Sequence, residues 1–426
     1  MVGLASFLFM LLFFALGVPV AFALLGVGIG VFTWQGLDLV AIPQRMVPAC
    51  AQFTYLAVPF FFLAAELMNI GTITDRLFGF AQSVVGHIRG GLAHVNVLGS
   101  MIFAGMSGSA LADTAGLGKI EITAMTKAGY KLDYATAVTI SSATIGPIIP
   151  PSIPMIVLGA VADISVGQLF FGGAVPGVLM GLAFMVICYW EAIRHGHGTV
   201  APFSLKNVWR DFKRAIFALI TPAIILGGIV LGIFTPTEAA AIACFYAFIV
   251  AGLIYRGLQW RRVFKSFIEV GVTTSATMII IAAASIFGLI TARENVVDPV
   301  FGILTSITTS PTVMMMIFTV LWIIVGCFME AGAAMVIFVP ILMPIVYQLG
   351  IHPVHFGVLT VMLLMLGLLT PPFGLLLFLS SSMTGLPVQR IARVTFPFMM
   401  AIVAVVILLI FVPSLVTFIP NLIFAK

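Results

Sequence analysis

Charge is what this sequence lacks most. Only 8% of its 426 residues are Asp, Glu, Lys or Arg, against roughly 25% in a soluble globular domain. Nineteen basic and 14 acidic side chains cannot clothe a water-exposed surface on a chain of this length. A soluble enzyme, a nucleic-acid binder and a disordered scaffold are thereby excluded. Cysteine is scarce too: Cys50, Cys188, Cys244 and Cys327 stand singly in or beside apolar stretches with no CxxC spacing. Neither a secreted disulfide framework nor a zinc site is supported. The apolar N-terminal stretch over 3–33 has no basic leader and no small-residue cleavage site, and it is too long for a signal segment, so it reads as a retained first span.

What is abundant is apolar sequence, 62% of the chain. Runs of about 20 residues recur as far as residue 418, each long enough for the roughly 30 Å hydrocarbon core, which predicts an all-α polytopic membrane protein and not a barrel. Full-length spans are expected near 3–33, 52–71, 134–160, 169–193, 215–234, 237–256, 273–292, 355–381 and 395–418, the first interrupted at Gly17-Val18-Pro19. The basic residues set the orientation. Arg194, Lys206, Arg210, Lys213 and Arg214 fall in a loop over 194–214, and Arg256, Arg261, Arg262 and Lys265 fall in a loop over 256–266 two spans later, so both loops face the cytoplasm. Keeping Arg76, Arg89, Arg390 and Arg393 on that side requires two apolar segments, about 95–118 and about 317–341, to enter and return on one face as re-entrant hairpins.

A constant offset of 221 residues pairs Gly105 with Gly326, Gly146 with Gly367, and Pro150-Pro151 with Pro371-Pro372; it also pairs Gln168 with Gln389 and Pro176 with Pro397. By the span count these halves, 1–214 and 215–426, are inverted repeats. Two hairpins facing two broken spans, 134–160 and 355–381, define one central site. Proline and glycine inside a span free carbonyls and amides, which hydrocarbon tolerates only where the backbone is buried or lines a polar cavity. Kinks alone are the plainer alternative for either break taken singly.

Freed carbonyls with hydroxyls beside them suit sodium: Thr144 and Gly146 at the first break, Gly367 and Thr370 at the second, Gly108 and Gly326 at the hairpins. Asp113 and Glu330 either hold a cation or cap a helix. Ser107 and Ser109 suit a carboxylate or sodium, or mark a plain turn. Arg293 either grips a carboxylate bidentately or snorkels at the interface, paired with Glu294. Glu238 either caps the following helix or braces a moving element. Gly105-Met106-Ser107-Gly108 also spells GxSG, the pattern of an intramembrane serine protease. That reading needs a base near Ser107, whereas His87, His94, His195, His197, His352 and His355 all fall in loops or at segment ends.

Phe103-Ala104-Gly105-Met106-Ser107-Gly108-Ser109-Ala110, Ile145-Gly146-Pro147-Ile148-Ile149-Pro150-Pro151-Ser152-Ile153-Pro154, Phe234-Thr235-Pro236-Thr237-Glu238-Ala239-Ala240, Gly326-Cys327-Phe328-Met329-Glu330 and Leu369-Thr370-Pro371-Pro372 together resemble the large membrane subunit of tripartite ATP-independent periplasmic (TRAP) transporters. The likeness runs essentially end to end. It implies a sodium-driven importer of an organic acid, a dicarboxylate, sialic acid or other sugar acid, in the bacterial inner membrane. Cargo would come from a periplasmic binding protein, beside a separate small membrane subunit, in an elevator architecture. The resemblance implies that the hairpins with spans 134–160 and 355–381 form the transport core, on a scaffold made of the remainder. It also implies that Ser107, Ser109, Asp113, Glu238, Arg293 and Glu330 form the functional polar set. Where family members place Asp, this chain has Glu330. An exchanger needing no binding protein is the other reading the sequence leaves open.

Overall fold

The computed structural model describes residues 2–424 apart from Gly71, Thr72, His197, Val200 and Ala201. Gly71, at the end of the expected span 52–71, and His197 therefore lie outside the described residues. The first part of the chain forms α1 (Val2–Ala15), α2 (Val20–Trp34), α3 (Ala41–Cys50), α4 (Ala57–Ile70), α5 (Ile73–Val85), α6 (Gly91–Ser107), α7 (Ala110–Gly116), α8 (Gly118–Lys127), α9 (Leu132–Ala143), α10 (Ile153–Ala162) and α11 (Val166–His195). There follow α12 (Leu205–Val230), α13 (Pro236–Ile249), α14 (Trp260–Arg293), α15 (Val297–Ile307), α16 (Pro311–Phe328), α17 (Ala331–Gln348), α18 (Pro353–Gly367), α19 (Leu375–Thr384), α20 (Val388–Phe411) and α21 (Ser414–Phe424). Among the described residues there is no strand. Among the described residues seven helices are long and apolar enough to cross a bilayer, and α3 with α4, bent by 56°, forms an eighth candidate.

Three of the nine expected spans are split. The first parts into α1 and α2 around Gly17, whose φ of 78° is the left-handed region, and Pro19, which cannot continue a helix. The spans 134–160 and 355–381 part between α9 and α10 and between α18 and α19, at the two proline pairs. The stretch 194–214, read as a loop, holds the start of α12 at Leu205, so the repeat boundary at 214/215 falls inside a helix.

The offset of 221 carries helices as well as breakers. It superposes α7 and α8 on α17, whose first and last residues Ala331 and Gln348 answer to Ala110 and Lys127. α6 likewise falls on α16, α9 on α18 and α10 on α19. The two sets run in opposite directions. α9 begins where Arg390, at the head of α20, donates Nε–H to Asp133 Oδ2 at 2.9 Å. α18 begins at the opposite face: His355 Nε2 meets the Leu409 carbonyl near the end of α20 at 2.9 Å, and Val354 packs on Gly172 near the start of α11.

Burial follows this arrangement. Every residue from Val354 to Gly367 is buried, as is every residue from Tyr134 to Ala143, so α18 and α9 sit in the middle of the molecule. Peripheral helices instead expose large apolar side chains: Phe9 and Leu12 on α1, Phe217 on α12, Phe264, Phe267 and Val272 on α14. Such a face suits a lipid contact.

The helix–turn–helix units are longer than the sequence suggested, 91–127 and 311–348 in place of 95–118 and 317–341. Arms of 17 and 18 residues extend about 26 Å, so arm length alone does not stop them at mid-membrane. Contact fixes where each tip sits. The Gly108 carbonyl accepts the Ile153 N–H at 3.3 Å, which seats the first tip on the α9/α10 break. The backbones of Gly326 and Gly367 meet so closely that a Cβ on Gly367 would overlap the Gly326 carbonyl, which seats α16 against the end of α18. Gly367→Ala is therefore expected to lower stability by about 1–3 kcal/mol. Gly30→Ala, in α2 with open space around it, is expected to raise it by up to about 1 kcal/mol. Thermal unfolding of the two purified variants in detergent checks the contrast; equal midpoints would refute the close approach.

Candidate functional site

Ser107 ends α6, and Gly108 follows with φ 60°, a left-handed conformation that lets the chain reverse without a Cβ clash. Ser109 then caps α7, its Oγ accepting the Ala112 N–H at 3.4 Å. This turn delivers Asp113 to the first turn of α7, pointing inward and 1% exposed. Ser107 Oγ accepts the Ser109 N–H at 3.3 Å and donates to Asp113 Oδ1. Asp113 Oδ2 is buried without a hydrogen-bond partner. It faces Gly146, where an added Cβ would overlap it. A carboxylate oxygen thus lies directly on the interrupted backbone.

That backbone is free to coordinate. Pro147, Pro150, Pro151 and Pro154 supply no amide hydrogens, and among the described residues the Thr144 and Gly146 carbonyls accept no backbone hydrogen bond. Thr144 donates its hydroxyl hydrogen to Ser141 O at 2.6 Å, which leaves the oxygen's lone pairs available. Ser152 closes the break, donating to the Pro147 carbonyl and accepting the Met155 N–H at 3.2 Å as the cap of α10. Ser107, Gly108, Asp113, Thr144, Gly146 and the buried Pro150-Pro151 pair are therefore brought together.

The second half is built differently. Glu330 is exposed and caps α17, Oε2 accepting the Ala333 N–H at 3.1 Å. Its counterpart at the 221 offset is Ser109, also a cap, whereas the counterpart of Asp113 is Ala334. The cation role for Glu330 gives way to the capping one, because the side chain is spent on its own helix terminus. Gly326, Gly367 and Thr370 do gather, Thr370 donating to Leu366 O at 2.8 Å. Only neutral oxygens meet there, and Pro371-Pro372 are exposed.

Glu238 caps α13. Its Oε2 accepts the Thr235 N–H and Oγ–H, both at 2.8 Å, and Thr235 Oγ accepts the Glu238 N–H at 3.3 Å, a full capping box. Arg293 does not join the hairpin tips. It lines a 170 Å³ cavity between the ends of α2 and α14 with Gln35, Asp38 and Glu294, and Glu294 accepts its hydrogen bond from Gln35 at 2.7 Å. Among the described residues Arg293 has no ion pair, so the expected pairing with Glu294 is not made either. The protease reading also loses its base: the partners of Ser107 are a carboxylate and an amide, and neither is a histidine.

Several polar residues escaped the sequence. Asn96 donates to Thr139 at 2.7 Å and accepts from Ser142 at 2.8 Å, and Ser100 donates to Ser142 at 2.9 Å, tying α6 to α9 side by side. Glu121, 1% exposed with Oε1 unpartnered, lies beside Gly99 on the same seam. The spacings i, i+4 for Asn96/Ser100 and i, i+8 for Asp113/Glu121 mark one helical face each and were the available signal.

Comparison with known proteins settles the family. The model of the tripartite ATP-independent periplasmic transporter, DctM component, matches residues 7–415. This chain belongs to that family. It is 38% identical to the sialic acid TRAP transporter large permease protein SiaM of Vibrio cholerae, over 95% of both chains. It is 37% identical to the C4-dicarboxylate TRAP transporter large permease protein DctM of Pseudomonas aeruginosa, over 88% of both. These TRAP relatives are transporter permeases and not enzymes. The fold is also similar to the YdaH transporter of Alcanivorax borkumensis, with TM-score 0.64 over 88% of this chain and 89% of that one, at 14% identity.

If Glu330 only caps, Glu330→Ser, which keeps a cap, is expected to retain stability within about 0.5 kcal/mol, and Glu330→Ala to lose about 1 kcal/mol. Thermal unfolding of the two variants discriminates. Equal loss in both would return Glu330 to a role beyond its helix.

Proposed function

We propose that this TRAP permease is a sodium-coupled importer of an organic acid, working in the bacterial inner membrane beside a small membrane subunit and fed by a periplasmic binding protein. The observation that carries the reading is Asp113: a buried carboxylate oxygen, without a protein partner, set against a break whose carbonyls are uncommitted. A buried ionised carboxylate without a counter-charge costs several kcal/mol, and the residues around it suit one small hard cation. Sodium held by Asp113, Ser107 and the Thr144 and Gly146 carbonyls joins the hairpin to the broken helix. Gly326, Gly367 and Thr370 offer a second station made only of neutral oxygens.

Coupling follows from these parts. Without sodium the tip carries a net negative charge and repels an organic anion; with sodium it is neutral, and the Ser109 hydroxyl at the rim of the turn is available to the cargo. Two re-entrant units, 91–127 and 311–348, with the broken segments 132–162 and 353–384, move as the elevator core against the remaining helices. The names of SiaM and DctM bring sialic acid and a C4-dicarboxylate forward as cargo for this chain.

Proteoliposomes with a binding protein and small subunit test the reading, with labelled N-acetylneuraminate and succinate as probes. Uptake is expected to require an inward sodium gradient. Asp113→Asn is expected to lower it by about 100-fold, near 3 kcal/mol, and Ser107→Ala by about tenfold or more. Uptake of equal rate in potassium would refute sodium coupling, and uptake of equal rate without the binding protein would favour a self-sufficient exchanger.

A further inference from the structure

Three cavities line one face of the molecule and share walls. The first, holding Arg293, shares Ala41 and Leu289 with a second of 650 Å³ between α3 and α14. The second shares Gln52 with a third of 630 Å³, which reaches Asp163 at the outer end of α10. Together they form a row, a groove interrupted by these shared residues, from the end of α14 to the end of the first broken segment. The groove also touches Thr235 and Thr237, at the turn between α12 and α13. That turn and Asp163 are opposite the arginine- and lysine-rich ends of α11 and α14, so the groove opens on the outer face.

Charge along the groove is uneven. Arg293 shares its cavity with Asp38 and Glu294, and the third cavity carries Asp163. Arg45 alone stands in a cavity with no carboxylate on its wall. It is exposed, and among the described residues it forms no ion pair. Beside it on α3 is Gln44, and Gln52 lies in the extended link just past the end of α3; across the gap, on α14, is Ser285. Ser285 donates its hydrogen to Ala282 O at 2.7 Å, so its oxygen is an acceptor for a hydroxyl. The two amides both donate and accept.

We infer that Arg45 is the outer receiving residue for cargo: its guanidinium grips the single carboxylate of a polyhydroxylated acid while Gln44, Gln52 and Ser285 bond the hydroxyls. The inference rests on the proposed import of an organic acid and narrows it. One arginine among amides and a hydroxyl fits a hydroxylated monocarboxylate of the sugar-acid kind better than a dicarboxylate, because the next arginine, Arg293 in the adjoining cavity, shares its walls with Asp38 and Glu294, which would repel a second carboxylate. Arginine in place of lysine gives the bidentate fork that orients the carboxylate.

The test is ligand-induced thermal stabilisation of the full chain in lipid nanodiscs, in potassium buffer without sodium, using N-acetylneuraminate and succinate. N-acetylneuraminate is expected to raise the unfolding midpoint of the wild type more than succinate does. Arg45→Gln is expected to weaken its apparent affinity about tenfold or more, and Arg45→Lys to restore part of it. Arg261→Gln, on the cytoplasmic side, is expected to respond as the wild type does. Because Arg45 is exposed and unpaired, the ligand-free midpoint of Arg45→Gln is expected to equal that of the wild type. Unchanged affinity in Arg45→Gln, a larger effect of succinate, or no effect of either anion on the wild type overturns the inference. Sodium is absent throughout, so a failure here is separate from a failure of sodium coupling in the uptake experiment.

Discussion

One buried carboxylate governs this molecule. Asp113 is 1% exposed, one of its oxygens is engaged by Ser107, and the other rests against Gly146 in a stretch that proline keeps from becoming helix. A charge in such a place is tolerable only when something compensates it. No lysine or arginine pairs with Asp113 among the described residues, and uncommitted carbonyls lie beside it. The surrounding helices hold this geometry in place. Asn96, Ser100, Thr139 and Ser142 fix α6 beside α9, so that the tip and the break arrive at the same depth.

The second half repeats the architecture without the charge. α16 runs beside α18 as α6 runs beside α9, and Gly326 meets Gly367 at the far end. Ala334 stands where Asp113 would be, and the terminus of α17 is capped by Glu330 instead of a serine. The two halves therefore differ in charge: the first tip carries a buried carboxylate, and the second offers only neutral oxygens.

Much of the fold was legible in sequence because its determinants are covalent or periodic. Apolar runs gave the helices, and the repeated proline pairs gave the breaks. The 221 offset gave a duplicated arrangement, in which Asp133 at the start of α9 meets Arg390 at the head of α20 and His355 at the start of α18 meets Leu409 near the end of α20. Less was legible where tertiary contact decides. Glu330 and Asp113 look alike in sequence, each an acid just after a glycine-rich turn, yet one points along its own helix end and the other into the core. Arg293 and Arg45 were separable only once the cavities showed which of them has acids beside it. The amphipathic start of α12 looked like a loop because its charges, Lys206, Arg210, Asp211, Lys213 and Arg214, outweigh its helical spacing.

The central claim is that a cation at Asp113 locks the first tip to the first break. Amide hydrogen exchange of the purified protein in sodium against potassium tests it most directly. The account predicts that sodium slows exchange in peptides covering 105–113 and 144–153 by about tenfold or more, as expected when binding suppresses local opening, with little change on the outer α3. Identical exchange of the tip and break in the two salts would contradict it.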